Sequence, residues 1–358
     1  MKWLAVKNRR VIGILVPALL ISILVASLLL ACGSPQENGG NGGNGGNGGS
    51  GAIRITLVTG WTDPDTGNDK LHEYVDKINA AGKGKVYIDF LGGAEVAPIT
   101  ENVGLVRDYV FDMVMNAPGY YAGLCQESLM LHYSTVSTAI LNESGATEMM
   151  DEVHREKMGI KILGFIWRGE NFTILSKEPI TSADFKGYLF HSLPIFTAPL
   201  TYLGAATTFL TVSEFYIAME RGVVDAIPLP LGSVPYEQAL YEVCDYMLYP
   251  KLPIMTAGPL MINEALWNSL PADVQTLMSE TLLDMEDEVY DYYHVGVMNE
   301  FEQKLQDKGL ERVDLPAADA EKLVYAFTEF AWDDFFRENR EWAPKYFDLI
   351  SPYLEWTQ

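Results

Sequence analysis

The sequence predicts an α/β protein of two domains joined by one long helix. Three observations predict it. Strand-like and helix-like segments alternate along the chain, 358 residues suffice for two cores, and one amphipathic stretch runs from Pro271 to Lys308.

Ile53 to Thr59 is β-branched and alternating, which predicts a strand. Leu71, Tyr74, Val75 and Ile78 recur at helical spacing, so 69–80 is a helix. Val86 to Leu91 is a second strand, ended by Gly92-Gly93. Glu101 to Tyr109 is helical, and Phe111 to Met115 is a third strand. This alternation calls for a partly parallel sheet. The texture then returns: Gly159–Phe165, Asn171–Ser176 and Leu189–Leu193 read as strands, Val212–Arg221 as a helix, and Val223–Ile227 as a short buried strand.

Pro271 suits a first helical turn and Gly309 stands just past the end of the long stretch. Val274, Leu277, Met278, Leu282, Met285, Val289, Tyr292, Tyr293, Gly296 and Phe301 keep a period near 3.6 between them. At 1.5 Å per residue such a helix is roughly 55 Å long, more than one small domain is wide. The spacing does not hold the 3.5-residue period of a coiled coil, so the helix is expected to brace both domains.

Lys plus Arg number 25 against 48 Asp plus Glu, a formal charge of −23. That balance argues against nucleic acid, which needs clustered cations to displace counterions, and against a broad electrostatic grip on anionic lipid. Three cysteines exclude a disulfide-dense scaffold and any four-cysteine metal site. Cys125 and Cys244 are open to pairing, but two buried free thiols fit better.

The first residues have a different character. Lys2, Lys7, Arg9 and Arg10 precede an apolar run from Val11 to Leu30, long enough to cross a bilayer. The run ends in Leu29-Leu30-Ala31-Cys32, and a positive start, an apolar stretch and a small residue describe an export signal. The pattern resembles the lipobox of bacterial lipoproteins, in which the cysteine, here Cys32, is lipidated and begins the mature chain. Residues 1–31 would then be the signal; they carry four positive and no negative side chains, so −23 becomes −27 without them. A Gly/Asn-rich stretch, 32–51, has nothing apolar to bury and reads as a tether reaching about 25 Å.

Catalytic signatures are missing. There is no phosphate loop, GxGxxG, HExxH or GxSxG, and His72, His132, His154, His191 and His294 are scattered. Asp63 to Asp69 has some features of a calcium loop, but Gly67 falls at a ligand position and Glu73 at the eleventh instead of the twelfth. A solvated turn capping the next helix is the better reading, and no metal or other cofactor is expected. Paired carboxylates for glycoside hydrolysis remain open in so acidic a chain, though no pair stands out.

The segments Ile180-Thr181-Ser182-Ala183-Asp184-Phe185-Lys186-Gly187, Tyr202-Leu203-Gly204-Ala205, Val212-Ser213-Glu214-Phe215-Tyr216 through Val224-Asp225-Ala226, and Leu260-Met261-Ile262-Asn263-Glu264 through Pro271 occur in an informative order. Together they resemble the extracytoplasmic solute receptors of tripartite ATP-independent periplasmic (TRAP) transporters, over roughly residues 53–310. The resemblance implies a two-lobed, periplasmic-binding-protein-like clamshell whose long helix spans both lobes. Lobe I would hold 52–168 plus about 255–290, and lobe II 169–254 plus about 291–358. It also implies a small-molecule solute, the small and large membrane subunits of a permease as partners, and an extracytoplasmic place on the membrane through the lipid anchor alone. An exported hydrolase and a sensory receptor on the same fold are the alternatives.

This sequence departs from the family where the solute is gripped. The family's carboxylate-binding Arg on the strand after Lys-Gly corresponds to His191. A second Arg corresponds to Asn171, with Arg168 nearby, and the usual Asn falls near Leu229. Neutral imidazole cannot fork onto a carboxylate and leucine offers no donor, so a neutral, weakly polar or partly aromatic solute is expected. Acid binding through Arg168 or protonated His191, and loss of binding altogether, are the alternatives. His191 is alternatively a satisfied strand histidine, and Arg168 alternatively pairs with Glu170 at the surface. Trp61 follows the first strand, where open sheets place their clefts, or is a core residue. Tyr120 and Tyr121 after the third strand, Phe209 and Trp167 as stacking or packing rings, and Tyr236 complete the candidates.

Overall fold

The computed structural model describes residues 51–63 and 65–357. The expected export signal, Cys32 and nearly all of the expected tether lie outside the described residues. Ten strands form one mixed sheet. They are β1 (Ile53–Thr59), β2 (Val86–Gly92), β3 (Met113–Met115), β4 (Ile160–Ser176), β5 (Leu189–His191), β6 (Ala206–Thr208), β7 (Ala226–Pro230), β8 (Tyr246–Tyr249), β9 (Leu252–Asn263) and β10 (Glu311–Asp314). The order is β2-β1-β3-β9-β4-β7-β5-β6, with β8 joining β4 to β10. Parallel pairs lie at both ends (β1 with β2 and β3, β5 with β6 and β7), and the long strands β4 and β9 run antiparallel between them.

The two strands expected at 159–165 and 171–176 are one strand of 17 residues. Trp167, Arg168 and Asn171 continue the pairing with β9 through register shifts, so the polar stretch between the two apolar runs does not break it. Its first part lies beside β9 and its last part pairs with β7 and β8. The strand expected at 223–227 starts later and includes Pro228 and Pro230. Beyond Ala226, β7 pairs with β4 alone among the described residues, so a missing N–H on the other side removes no bond.

The long helical stretch is present with two irregularities. Helices Ala272–Leu283 and Glu286–Asp291 are separated by a two-residue turn, and a π-helical segment, Tyr292–Val297, leads into Met298–Asp307. It packs along β4. Gly169 has φ +130°, and a Cβ there would sit 2.8 Å from both the Cβ and the N of His294. Only glycine lets strand and helix meet so closely. The stretch serves two cores. Val274, Met278, Leu282, Met285, Val289, Tyr293 and Val297 pack with β1, β2 and the helix Asp69–Ala81. Met298 and Leu305 pack with Phe215, Met219, Ile227 and Met247. A third core gathers Phe185, Phe190 and Phe196 with Phe327, Trp332 and Tyr346 from helices after residue 316 that the sequence reading had not identified.

Cys125 and Cys244 are both free and buried. Burial pushes each thiol up to about 12, so neither is nucleophilic at neutral pH.

Candidate binding site

The parallel strands β1 and β3 end side by side, and the loops beyond them build one wall of a cleft. Side-chain amides hold these loops. The Thr59 hydroxyl donates to Asn68 Oδ1 at 3.0 Å, Asn102 Nδ2 donates to the Thr59 carbonyl at 3.1 Å, and Asn116 Nδ2 donates to the Ile99 carbonyl at 2.7 Å. Asn68 is fully buried and does not cap the next helix with its side chain, which corrects the capping expected of this turn, while Asp63 at its start is exposed. The facing wall starts at Thr211. Its backbone N–H and hydroxyl reach Glu214 Oε2 at 2.7 and 2.8 Å, a capping box that begins the turn Val212–Glu214. Val212 and Phe215, three residues apart, share its inner face.

Two adjoining cavities lie between these walls. The inner one, about 40 Å³, is bounded by Trp61, Tyr120, His132, Trp167, Phe172 and Phe215, with Leu193, Ile195, Val212, Leu229, Val234 and Thr256 filling the gaps. The outer one, about 360 Å³, shares Trp61 and Val212 with it and reaches Thr100, Phe209, Ser213 and Gln238. Among the described residues that line the two cavities there is no Lys or Arg. Trp61 stands edge-on to Trp167 with ring centroids 4.3 Å apart.

Of the sequence candidates, Trp61, Tyr120 and Leu229 come together at the inner cavity, joined by Trp167, while Phe209 stands at the outer one. The others lie elsewhere. Tyr121 turns away from Tyr120, as neighbours on a helical turn must, and its hydroxyl meets His154 Nε2 at 3.1 Å. Asn171 Nδ2 donates to the Ile254 carbonyl at 3.3 Å, and Tyr236 packs on Tyr241 and Phe301. His191 is buried behind the wall against Phe215, its Nδ1 accepting from the Leu210 N–H at 3.2 Å. Burial lowers His191 to about 4, so at neutral pH it carries no charge.

Arg168 is neither in the cavity nor at the surface. It is fully buried, and its guanidinium donates to the carbonyls of Leu131, Ser134 and Val136. Burial lowers it to about 10, which still leaves it cationic at neutral pH. Glu170, the surface partner considered for it, is buried too. Burial raises that carboxyl to about 8, against the pull of the neighbouring Trp167 indole, and the charge of Glu237 adds to the rise. Glu170 is therefore largely protonated at pH 7.

Sequence reading missed His132, Phe172, Phe215 and Thr256 as cavity residues. His132 Nδ1 lies 2.8 Å from the Met255 carbonyl, 123 residues away in sequence. No local pattern announces such a pairing. Phe215 alone carried a signal, as part of the segment through which the family resemblance was seen.

At the outer cavity, the Thr66 N–H and hydroxyl donate to Glu237 Oε1 at 3.1 and 2.6 Å. Burial, with Glu237, Glu95 and Asp63 nearby, raises Asp65 to about 6.

The profile of the bacterial extracellular solute-binding proteins, family 7 (DctP), matches residues 58–339. A solute-binding protein of Sulfitobacter sp. strain NAS-14.1 is 30% identical over 148 residues, 40% of this chain and 43% of the relative. The aligned stretch thus spans less than half of that relative's length. Among solved structures, a TRAP periplasmic solute-binding protein from Desulfovibrio desulfuricans with bound sn-glycerol-3-phosphate superposes with a TM-score of 0.75 at 17% identity, covering 85% of this chain and 98% of that one. Another from Desulfovibrio salexigens, with bound orotic acid, gives 0.74 at 17% identity over 84% and 99%. At such identities the likeness establishes the two-lobed α/β fold alone.

Proposed function

Because this chain belongs to the family 7 extracellular solute-binding proteins, we propose that it is the receptor of a TRAP-type transporter. It captures a small organic solute in the cleft that the two cavities form and delivers it to the small and large membrane subunits of a permease, which ion gradients drive. The lipobox-like Leu29-Leu30-Ala31-Cys32 supports tethering of the receptor to the outer face of the membrane through Cys32. The related receptors above were solved with anionic solutes. Here the solute is uncharged or weakly polar. One observation carries that reading: the cavity is walled by Trp61, Trp167, Phe172 and Phe215, and no guanidinium or ammonium among the described residues lines it. A carboxylate would lose its water there and gain no counter-charge. His191, at the family's usual Arg position, acts on the cavity through Phe215 and not by direct contact.

The experiment is a melting screen of the purified full chain against acids, polyols, amides and aromatics. A solute at 100 times its dissociation constant stabilises by about 2.7 kcal/mol, a rise of a few degrees. Failure of every class to raise the midpoint would end the receptor reading. Uptake by vesicles containing the two permease subunits, dependent on added receptor, tests delivery.

A further inference from the structure

One polar contact crosses the cleft. On the loop after β1, the Thr66 N–H and hydroxyl both donate to Glu237 Oε1, at 3.1 and 2.6 Å, at the end of the helix Ser233–Glu237 that follows β7. Among the described residues no other hydrogen bond or ion pair joins the chain from β1 to β3 to the chain from β5 to β8. The two ends belong to different cores. Trp61 and Leu71, on either side of the loop, lie in the core around β1 and β2. Leu231 and Leu240, on either side of the helix, lie in the core of Phe215 and Met247.

Asp65 and Gln238, the chain neighbours of the two bonded residues, both line the outer cavity, so the contact stands at its edge. The loop is fixed from behind. The Tyr293 hydroxyl donates to the Thr66 and Gly67 carbonyls at 3.2 and 3.3 Å, and a Cβ on Gly67 would meet the Trp61 ring at 3.8 Å. Glu237 itself is exposed. Burial first, and then the charge of Glu237, raise Asp65 to about 6. The same charge repels Asp65 across the contact while Thr66 holds it. Two bonds to one carboxylate favour the joined form, and solvent around them keeps the contact weak enough to let go.

Resting on the receptor reading above, we infer that Thr66 and Glu237 are positioning residues for capture: their paired bonds clasp the two walls over the outer cavity, and a solute is released when they break. With the bonds gone, Glu237 faces Asp65 with nothing to offset the repulsion, and the walls part. Neither residue needs to touch the solute. The clasp acts by favouring the closed form, so it lengthens the stay of every solute that fits and does not choose among them.

Distances between the walls test this without a known solute. Spin labels at Glu101→Cys and Glu220→Cys, both exposed positions, report on one wall each in the full chain carrying Cys32→Ser. The buried Cys125 and Cys244 stay unlabelled. Double electron–electron resonance on the solute-free protein at pH 7 is expected to show a closed and an open distance. The closed-to-open ratio should fall about threefold or more in Glu237→Ala and in Thr66→Val. Glu242→Ala is the control: it removes a carboxylate that takes the Tyr216 hydroxyl at 3.0 Å within one wall, and should leave the ratio unchanged. Stopped-flow tryptophan fluorescence then uses the solute that raises the midpoint most in the melting screen. Its release should be about threefold faster or more in Glu237→Ala, with association little changed. A lower midpoint in Glu237→Ala with neither the ratio nor the release rate moved makes the contact merely structural and overturns the inference. One distance common to wild type and both variants overturns it too, as does an equal shift in Glu242→Ala. Thr66→Val decides if Glu237→Ala does not fold. Failure of the whole screen brings down the receptor reading itself, and the distances still decide the clasp.

Discussion

The carboxyl of Glu170 occupies the place where a side chain on Gly232 would begin. A Cβ built on Gly232 would lie 1.8 Å from Glu170 Oε1 and 2.6 Å from its Cδ. The acid is thus packed against backbone on the strand that carries Trp167 and Phe172 into the cavity.

Gly232→Ala is expected to destabilise the protein by about 1–3 kcal/mol, because the buried carboxyl must turn away with little room to do so. Glu170→Ala should absorb most of that loss when the two are combined. A double-mutant cycle by urea unfolding checks it, and strict additivity would show that the two residues do not share the space.

Glu170 also predicts a pH dependence. Its folded value is raised to about 8, mainly by burial, whereas an unfolded glutamate ionises near 4.5. Between those values the folded state holds a proton that the unfolded state has lost. The stability from this group is therefore whole below about 4.5, falls by about 1.4 kcal/mol per pH unit at most as pH rises towards 8, and is flat above. Glu170→Gln removes the slope, so its melting advantage over wild type should grow from pH 5 to pH 8. An advantage independent of pH would contradict the protonated carboxyl.

The buried histidines act in the opposite direction. His132, His154 and His191 are each lowered to about 4 by burial. Their neutral forms support the fold above the unfolded value near 6.5, and that support is lost as pH falls towards 4. Three such groups give a combined slope of up to about 4 kcal/mol per pH unit. Imidazole signals followed by NMR should show all three rings still neutral at pH 5.5 in the folded protein.

Arg168→Lys is expected to cost about 2–4 kcal/mol, since one ammonium cannot reach the three carbonyls that the guanidinium serves. The ranking of solutes should not change. A variant that folds well but loses affinity would place Arg168 in recognition after all.

Local pattern carried much of the fold. Ile53–Thr59 and the helix from Asp69 were legible because alternation and helical spacing report which face is buried, whatever it is buried against. The brace from Pro271 was legible for the same reason, and its length alone implied that it serves more than one core. The family was legible from a run of short segments in order. Strand β4 was not read as one piece, because Arg168, Gly169 and Glu170 look like a polar loop until β9 is beside them.

The site was legible only in part. Trp61 and Tyr120 could be found because they follow strands whose ends must border a cleft. His191, Arg168 and Asn171 were drawn by analogy to the same place, yet their side chains meet Phe215, three carbonyls and Ile254. The sequence by itself determined the class of protein and the order of its elements, both properties of residue type and spacing. Only the tertiary structure decided which side chains wall the cavity. A side chain's direction depends on the partner that holds it, and for His132 that partner comes from β9, far along the chain.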